Sequence, residues 1–224
     1  GGFSTGHGFL REPNDIQSYS ALACIAIQSN QNDQHGGQSI VDFDYGLAPG
    51  VTKTYKKYYS TNLYKSLEII APSDEPDTTE DKSNGIQGGL TLFDLKEIAY
   101  EIEKRTGSFP QITTDAKYLE EEKKILLTKG LSEEIIDKAQ KFAVKEAYRE
   151  TEKATYQAME ALIHNLNTMH SRAGAQTPFS SINYGTDTSP EGRMVMRNIL
   201  KATEAGLGMG ETPIFPIQIF RVKE

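Results

Sequence analysis

Cysteine is nearly absent from this chain. Cys24 is the only one among 224 residues, so no disulfide can close within it. Long apolar runs are missing as well: no stretch approaches the roughly 18 consecutive apolar residues of a membrane-spanning helix. The first residues also lack the basic segment followed by an apolar one that marks a secretory signal. Positive charge is in deficit, with 24 Lys and Arg against 31 Asp and Glu for a net charge of −7. Phosphate backbones and anionic lipid surfaces require clustered cations, so neither nucleic acid nor membrane is an expected partner. A small molecule or another protein is the better expectation, in the cytoplasm. With 37% hydrophobic residues the chain can bury a core, as one domain or at most two.

Residues 1–12 carry four glycines within their first eight positions and form a loop or a strand and turn rather than a helix. An opening on Gly1-Gly2-Phe3 is what a piece of a longer chain would show. Asn14 is placed to cap a helix, with Gln17 three residues on and Ile16, Leu22, Ile25 and Ala26 at helical spacing. That helix should stop at Gly36-Gly37. Its last part, Gln28 to His35, is unusually rich in amides. The segment Phe43 to Ala71 reads as helical with a break at Pro49-Gly50. Residues 72–89 are acidic, contain Gly and Pro, and are almost free of apolar side chains, as expected of a mobile solvated insertion. Helical patterns follow at about 92–106 and 115–128. A longer one is capped by Ser132 and runs to about Arg172, with Ile135, Ala139, Phe142, Ala147, Met159, Leu162, Leu166 and Met169 near one face.

The densest information lies in His170 to Arg193, where a helix ends, a strand follows and a capped helix begins. In a strand over 177–184, Thr177, Phe179, Ser181 and Asn183 share one face, and Pro178, Ser180, Ile182 and Tyr184 share the other. Ser189 reads as an N-cap, with Pro190 at the first helical position and Glu191 in the first turn. The last segment, 213–222, is apolar on both faces, as in strands covered on both sides. Strand 177–184, helix 190–205 and strand 213–222 thus form a parallel β-α-β unit in an α/β protein.

Several groups have chemistry to be weighed. His164 and His170 lie six positions apart on different helix faces, with Asn165 and Asn167 between them and no acidic or Cys ligand in register. Polar contacts at a helix end are expected there, and no metal site. Cys24 sits in an apolar helical run, as a buried structural thiol does. The Gly-rich loop 1–8 lacks the spacing of a phosphate-binding loop. A helix start such as Ser189-Pro190 attracts anions, but Asp187 and Glu191 oppose one here and Arg193 compensates only in part, so an ordinary cap is expected. Ser181 and Asn183 stand out: if Ile182 and Tyr184 pack against helices, these two polar side chains face the other way, where burial demands hydrogen-bond partners, from the protein or from a ligand.

Six stretches together closely resemble the anaerobic (class III) ribonucleoside-triphosphate reductases. They are Gly2-Phe-Ser-Thr-Gly-His-Gly8, Ser29-Asn-Gln-Asn-Asp-Gln-His-Gly-Gly-Gln38, Phe43-Asp-Tyr-Gly-Leu-Ala-Pro49, the run Gln157 to Arg172, Gln176-Thr-Pro-Phe-Ser-Ser-Ile-Asn-Tyr-Gly185 and Gly208-Met-Gly-Glu-Thr-Pro-Ile-Phe-Pro-Ile217. The resemblance is close at both ends and through 150–224, and weak between about 72 and 130.

The resemblance implies a glycyl radical enzyme with a ten-stranded α/β barrel, of which 1–224 is a helix-rich fragment. In that family a glycyl radical passes to a cysteine inside the barrel, and the resulting thiyl radical abstracts a hydrogen from the ribose. Formate or a thiol serves as reductant, with a second cysteine on an early strand. Nucleoside triphosphate effectors bind at a homodimer interface, and a radical S-adenosylmethionine activating enzyme installs the radical. The family layout puts the early cysteine before Gly1, and the thiyl cysteine and radical glycine after Glu224. Cys24 matches neither cysteine. No catalytic residue is therefore expected within 1–224, and the fragment should be inactive alone. The resemblance implies that the strand carrying Ser180, Ser181 and Asn183 lines the substrate cavity, and that His7, Arg11 and Glu12 approach the effector site. A different glycyl radical enzyme, of the pyruvate formate-lyase or diol-dehydratase kind, and a non-catalytic nucleotide-binding or dimerisation module are the competing readings. A barrel half left open would expose sheet edges and self-associate.

Overall fold

The computed structural model describes residues 11–33, 36–73, 85–169 and 177–222. The chain divides into two compact units, residues 55–151 and residues 1–54 with 152–224.

Residues 55–151 form a helical unit. It takes in the greater part of α2 (Phe43–Ile70), all of α3 (Leu92–Thr106) and α4 (Ala116–Thr128), and the first half of α5 (Glu133–Thr168). Local signals set these helices. Thr91 and Asp94 make a reciprocal capping box at the start of α3, and Gly107 ends it at φ 73°. Asp115 accepts from the amides of Lys117 and Tyr118 at the start of α4. Ser132 Oγ accepts from the Ile135 amide at 3.4 Å before α5. Tyr55, Tyr59, Leu63, Leu67, Ile102, Leu126 and Ile136 fill the core. The expected stripe of α5 is rotated slightly: Ala139 and Ala147 are buried, but Ile136 and Ala143 join them while Phe142 faces solvent. Pro72 and Ile86 pair in an antiparallel bridge, and Ile86 is fully buried. Residues 74–84, most of the acidic insertion expected at 72–89, lie outside the described residues.

The other unit is built on a three-stranded parallel sheet of β1 (Gln38–Ile40), β2 (Ser180–Tyr184) and β3 (Ile217–Phe220), in the order β1-β2-β3. Helix α1 (Ile16–Asp33) is capped one residue later than expected: Asp15, not Asn14, accepts from the Ser18 amide at 2.8 Å. Helix α2 does not break at Pro49-Gly50. The missing Pro49 N–H removes one ladder bond, and the close approach of α1 at Gly50 compensates. A Cβ on Gly50 would sit 2.9 Å from the Tyr19 ring and 3.0 Å from Ile16 Cα. Thr54 Oγ1 completes the junction, donating to Gly50 O at 2.8 Å and accepting from Ile16 N at 2.9 Å.

Helix α6 (Pro190–Ala205) joins β2 to β3, so the parallel β-α-β unit is present as expected. Burial of the last strand is corrected: Ile217, Ile219 and Phe220 are 57%, 45% and 60% exposed. Among the described residues β3 is an edge strand, with β2 on one side only. The outcome is a helix-rich α/β fold with a small parallel sheet.

Candidate functional site

Register decides which side chains share a face of the sheet. Ser39, Ser181 and Ile217 are aligned, as are Asn183 and Ile219 one pleat further on. Gln38 and Ser180 lie on the opposite face, with Ile40, Ile182 and Gln218 and then Tyr184 and Phe220. That second face is the packed one. Ile182 and Tyr184 are buried, Tyr184 OH donates to Gln218 Oε1 at 2.7 Å, and Gln218 Nε2 donates to Thr203 Oγ1 of α6 at 2.6 Å. Ser181 and Asn183 are therefore on the open face, where the alternation placed them, and both are half-buried.

Ser180 belongs to the packed face, yet it stands at the start of β2 and reaches the same cavity as Ser181. This cavity, of about 480 Å³, lies at the amino ends of the three strands and is walled chiefly by Gln31, Gln38, Phe179, Ser180, Ser181 and Phe215. The Phe179 and Phe215 rings meet edge-to-face at 5.1 Å between centroids. Gln38 Oε1 accepts from Asn30 Nδ2, and its Nε2 donates to Gly36 O at 3.3 Å. Among the described residues the Ser180 hydroxyl, only 2% exposed, has no hydrogen-bond partner, and neither does Asn183 Oδ1. A buried polar atom left unpaired costs about 1–3 kcal/mol. Asn183 stands further along β2 and does not line the cavity.

The carboxyl ends of the strands are arranged differently. Asp44, with no exposed surface, accepts from the Gly185 amide at 2.9 Å and the Asp187 amide at 3.0 Å. Asp187 in turn accepts from the Ser189 amide at 2.8 Å, and Ser189 Oγ accepts from the Gly192 amide at 3.0 Å. The start of α6 is thus capped from within, as the acidic neighbours led us to expect. Arg221 pairs with Asp42 at 3.0 Å.

Of the effector candidates, His7 lies outside the described residues. Arg11 is exposed. Glu12 is exposed and paired with Lys53 at 2.6 Å, and this contact holds its carboxyl below the usual carboxylate range. Cys24 is buried and burial pushes its thiol up, as an inert structural cysteine requires. His164 is exposed and His170 is outside the described residues. Among the described residues no group of three or more His, Cys, Asp or Glu is placed to hold a metal, and no helix is long and apolar enough to cross a membrane.

Sequence reasoning missed Gln31 and Gln38, although the amide-rich run at 28–35 was a signal. It also missed Glu122 in the helical unit, 1% exposed. Tyr59 OH donates to its Oε1 at 2.7 Å, Tyr118 OH to its Oε2 at 2.5 Å, and Gln140 Nε2 to its Oε1 at 2.9 Å. Burial raises the Glu122 carboxyl above its ordinary value, although the three donors pull against the shift. The two tyrosines are raised as well, first by burial and then by the carboxylate. The signal was the spacing Tyr118, Glu122, Leu126, which places the glutamate in the middle of a buried helix face.

Comparison with known proteins supplies the wider context. The model of the anaerobic ribonucleoside-triphosphate reductase family matches residues 1–224. The chain is similar to the anaerobic ribonucleoside-triphosphate reductase of Enterobacteria phage T4, 40% identical over 94 residues, which cover 40% of this chain and 15% of the relative. The reductases of Salmonella typhimurium and Escherichia coli are 39% and 37% identical over 75 residues, each match covering 33% of this chain and 10% of the relative. The chain thus aligns with a minor part of each relative's length.

Proposed function

Because the chain belongs to the anaerobic ribonucleoside-triphosphate reductase family, we propose that it forms part of the catalytic domain of an enzyme that reduces ribonucleoside triphosphates to deoxyribonucleotides. In this reading the three-stranded sheet is a portion of a ten-stranded α/β barrel, and the open face carrying Ser181 and Asn183 looks onto the substrate. Glycyl and thiyl radical chemistry, with formate or a thiol as reductant, is supplied by segments other than residues 1–224. What this chain's own residues do is bind and orient. Ser180, Ser181, Gln38 and Gln31 offer hydroxyls and amides to a polar ligand, and the Phe179–Phe215 pair closes the cavity on its apolar side.

One observation carries the proposal. The Ser180 hydroxyl and Asn183 Oδ1 are buried without partners among the described residues, beside a cavity and an open strand face of the right polarity. A hydroxyl or phosphate of a ligand in the cavity would satisfy Ser180, and a donor on the open face, such as a ligand hydroxyl, would satisfy Asn183 Oδ1. The family match also speaks for a nucleotide reductase over a pyruvate formate-lyase-like enzyme. His7, Arg11 and Glu12 are assigned to a nucleoside triphosphate effector site at a homodimer interface, and activation to a radical S-adenosylmethionine partner enzyme.

The test is Ser181→Ala in the activated full-length enzyme. Loss of one ligand hydrogen bond worth about 0.5–1.5 kcal/mol should raise KM for the ribonucleoside triphosphate by roughly 2- to 12-fold. Unchanged kinetics would return Ser181 to a structural role.

A further inference from the structure

Asn167, in the last turn of α5, makes four hydrogen bonds with one side chain. Its Oδ1 accepts from the amides of Ile214 and Phe215 at 2.9 and 3.0 Å. Its Nδ2 donates to Phe215 O at 2.6 Å and to Ile163 O in its own helix at 2.7 Å. The carboxamide thus meets both the N–H and the C=O of Phe215, the pattern a neighbouring strand would offer, in a segment that has not yet joined the sheet at Ile217. Phe215 is 8% exposed, and its ring packs edge-on against Phe179, the residue before β2. Both rings wall the cavity that Ser180 and Ser181 line.

We infer that Asn167 is a positioning residue for the substrate cavity: it fixes the backbone at 214–215 and thereby holds the Phe215 ring as one wall of the site. The inference rests on the reading of that cavity as the substrate site. Neither aspartate nor alanine performs the same task at this position. Aspartate keeps the acceptor but sets a carboxylate oxygen against the Phe215 and Ile163 carbonyls, and alanine leaves both amides without their acceptor.

The experiment uses the full-length enzyme and combines amide hydrogen exchange with steady-state kinetics on a ribonucleoside triphosphate. Asn167→Ala should speed exchange at Ile214 and Phe215 at least about tenfold and raise KM about tenfold, with a smaller change in kcat, as loss of the three neutral hydrogen bonds to Ile214 and Phe215 allows. Asn167→Asp, which keeps the acceptor, should fall between alanine and the parent in both readouts. Phe215→Leu, which spares the clamp, should raise KM while the Ile214 amide stays protected. Unchanged exchange in Asn167→Ala and Asn167→Asp would overturn the clamp. Faster exchange with unchanged KM in the Asn167 variants and in Phe215→Leu would overturn the positioning role. In that second case Ser181→Ala separates the two ideas: a raised KM there leaves the substrate reading standing, and an unchanged one removes it too.

Discussion

The two ends of one small parallel sheet are built on opposite terms. At the carboxyl ends three carboxylates are engaged: Asp44 takes two amides, Asp187 takes another, and Asp42 pairs with Arg221. Packing there is tight, and a Cβ on Gly185 would lie 2.3 Å from the Arg221 carbonyl oxygen. At the amino ends a cavity opens, and among the described residues the Ser180 hydroxyl has no partner and a Cβ on Gly36 would meet nothing within 4 Å. Open α/β sheets commonly bind ligands at the carboxyl ends of their strands. Here the carboxylates at that end are taken up by backbone amides and Arg221, and the unpartnered Ser180 hydroxyl lies at the other, with Asn183 Oδ1 on the open strand face between them. The contrast separates side chains that hold the sheet together from those without partners among the described residues.

The largest effect should come from testing the closed end. Gly185 combines φ +117° with the Arg221 contact, so Gly185→Ala should cost about 3 kcal/mol or more. Gly36→Ala, at φ +125° in open space, should cost about 1 kcal/mol. Urea denaturation of the two variants compares the ends directly, and equal losses would break the distinction.

Glu122 sharpens the same distinction from the helical unit, as a buried polar group with three donors where Ser180 has none. Its folded-state proton is held above the ordinary value of 4.5. The stability it contributes is complete below the unfolded value and is lost as pH rises through the folded one. Over that window the wild-type protein should lose up to about 1.4 kcal/mol per pH unit that Glu122→Gln does not lose. Urea unfolding of both from about pH 4 to pH 8 measures the difference. Parallel curves would mean that the carboxyl titrates alike in both states.

The smallest effect belongs to the open end. Ser180→Ala removes a hydroxyl that has no partner among the described residues, so ligand-free stability should not fall and should rise by about 1 kcal/mol, the low end of the cost of an unpaired buried group. KM in the full-length enzyme should nonetheless rise. A loss of about 1 kcal/mol or more without ligand would place Ser180 among the structural groups.

Where a feature is set by neighbours in sequence, it was legible. The caps at Ser132 and Ser189-Pro190 and the alternation that put Ser181 and Asn183 opposite Ile182 and Tyr184 all rest on contacts within a few residues. Features set at a distance were not. The cap at Asp15 and the unbroken helix at Pro49 depend on α1 lying against Gly50 and Thr54. Strand β1, three residues long, is too short to show alternation. Asp44 and Glu122 look like ordinary acidic surface residues until their partners from other segments are known. The exposure of β3 could not be read at all, because an apolar segment is the same in sequence whether or not another strand lies beside it.

The bond between Asp44 and the Gly185 amide joins residues 141 apart. Closing so long a loop delays a contact, whereas the helices of 55–151 come from one continuous stretch. During synthesis those helices can assemble while β2, the partner strand of β1, is still unmade. Of the two units, the one that bears the cavity is therefore the one whose sheet waits on the more distant contacts.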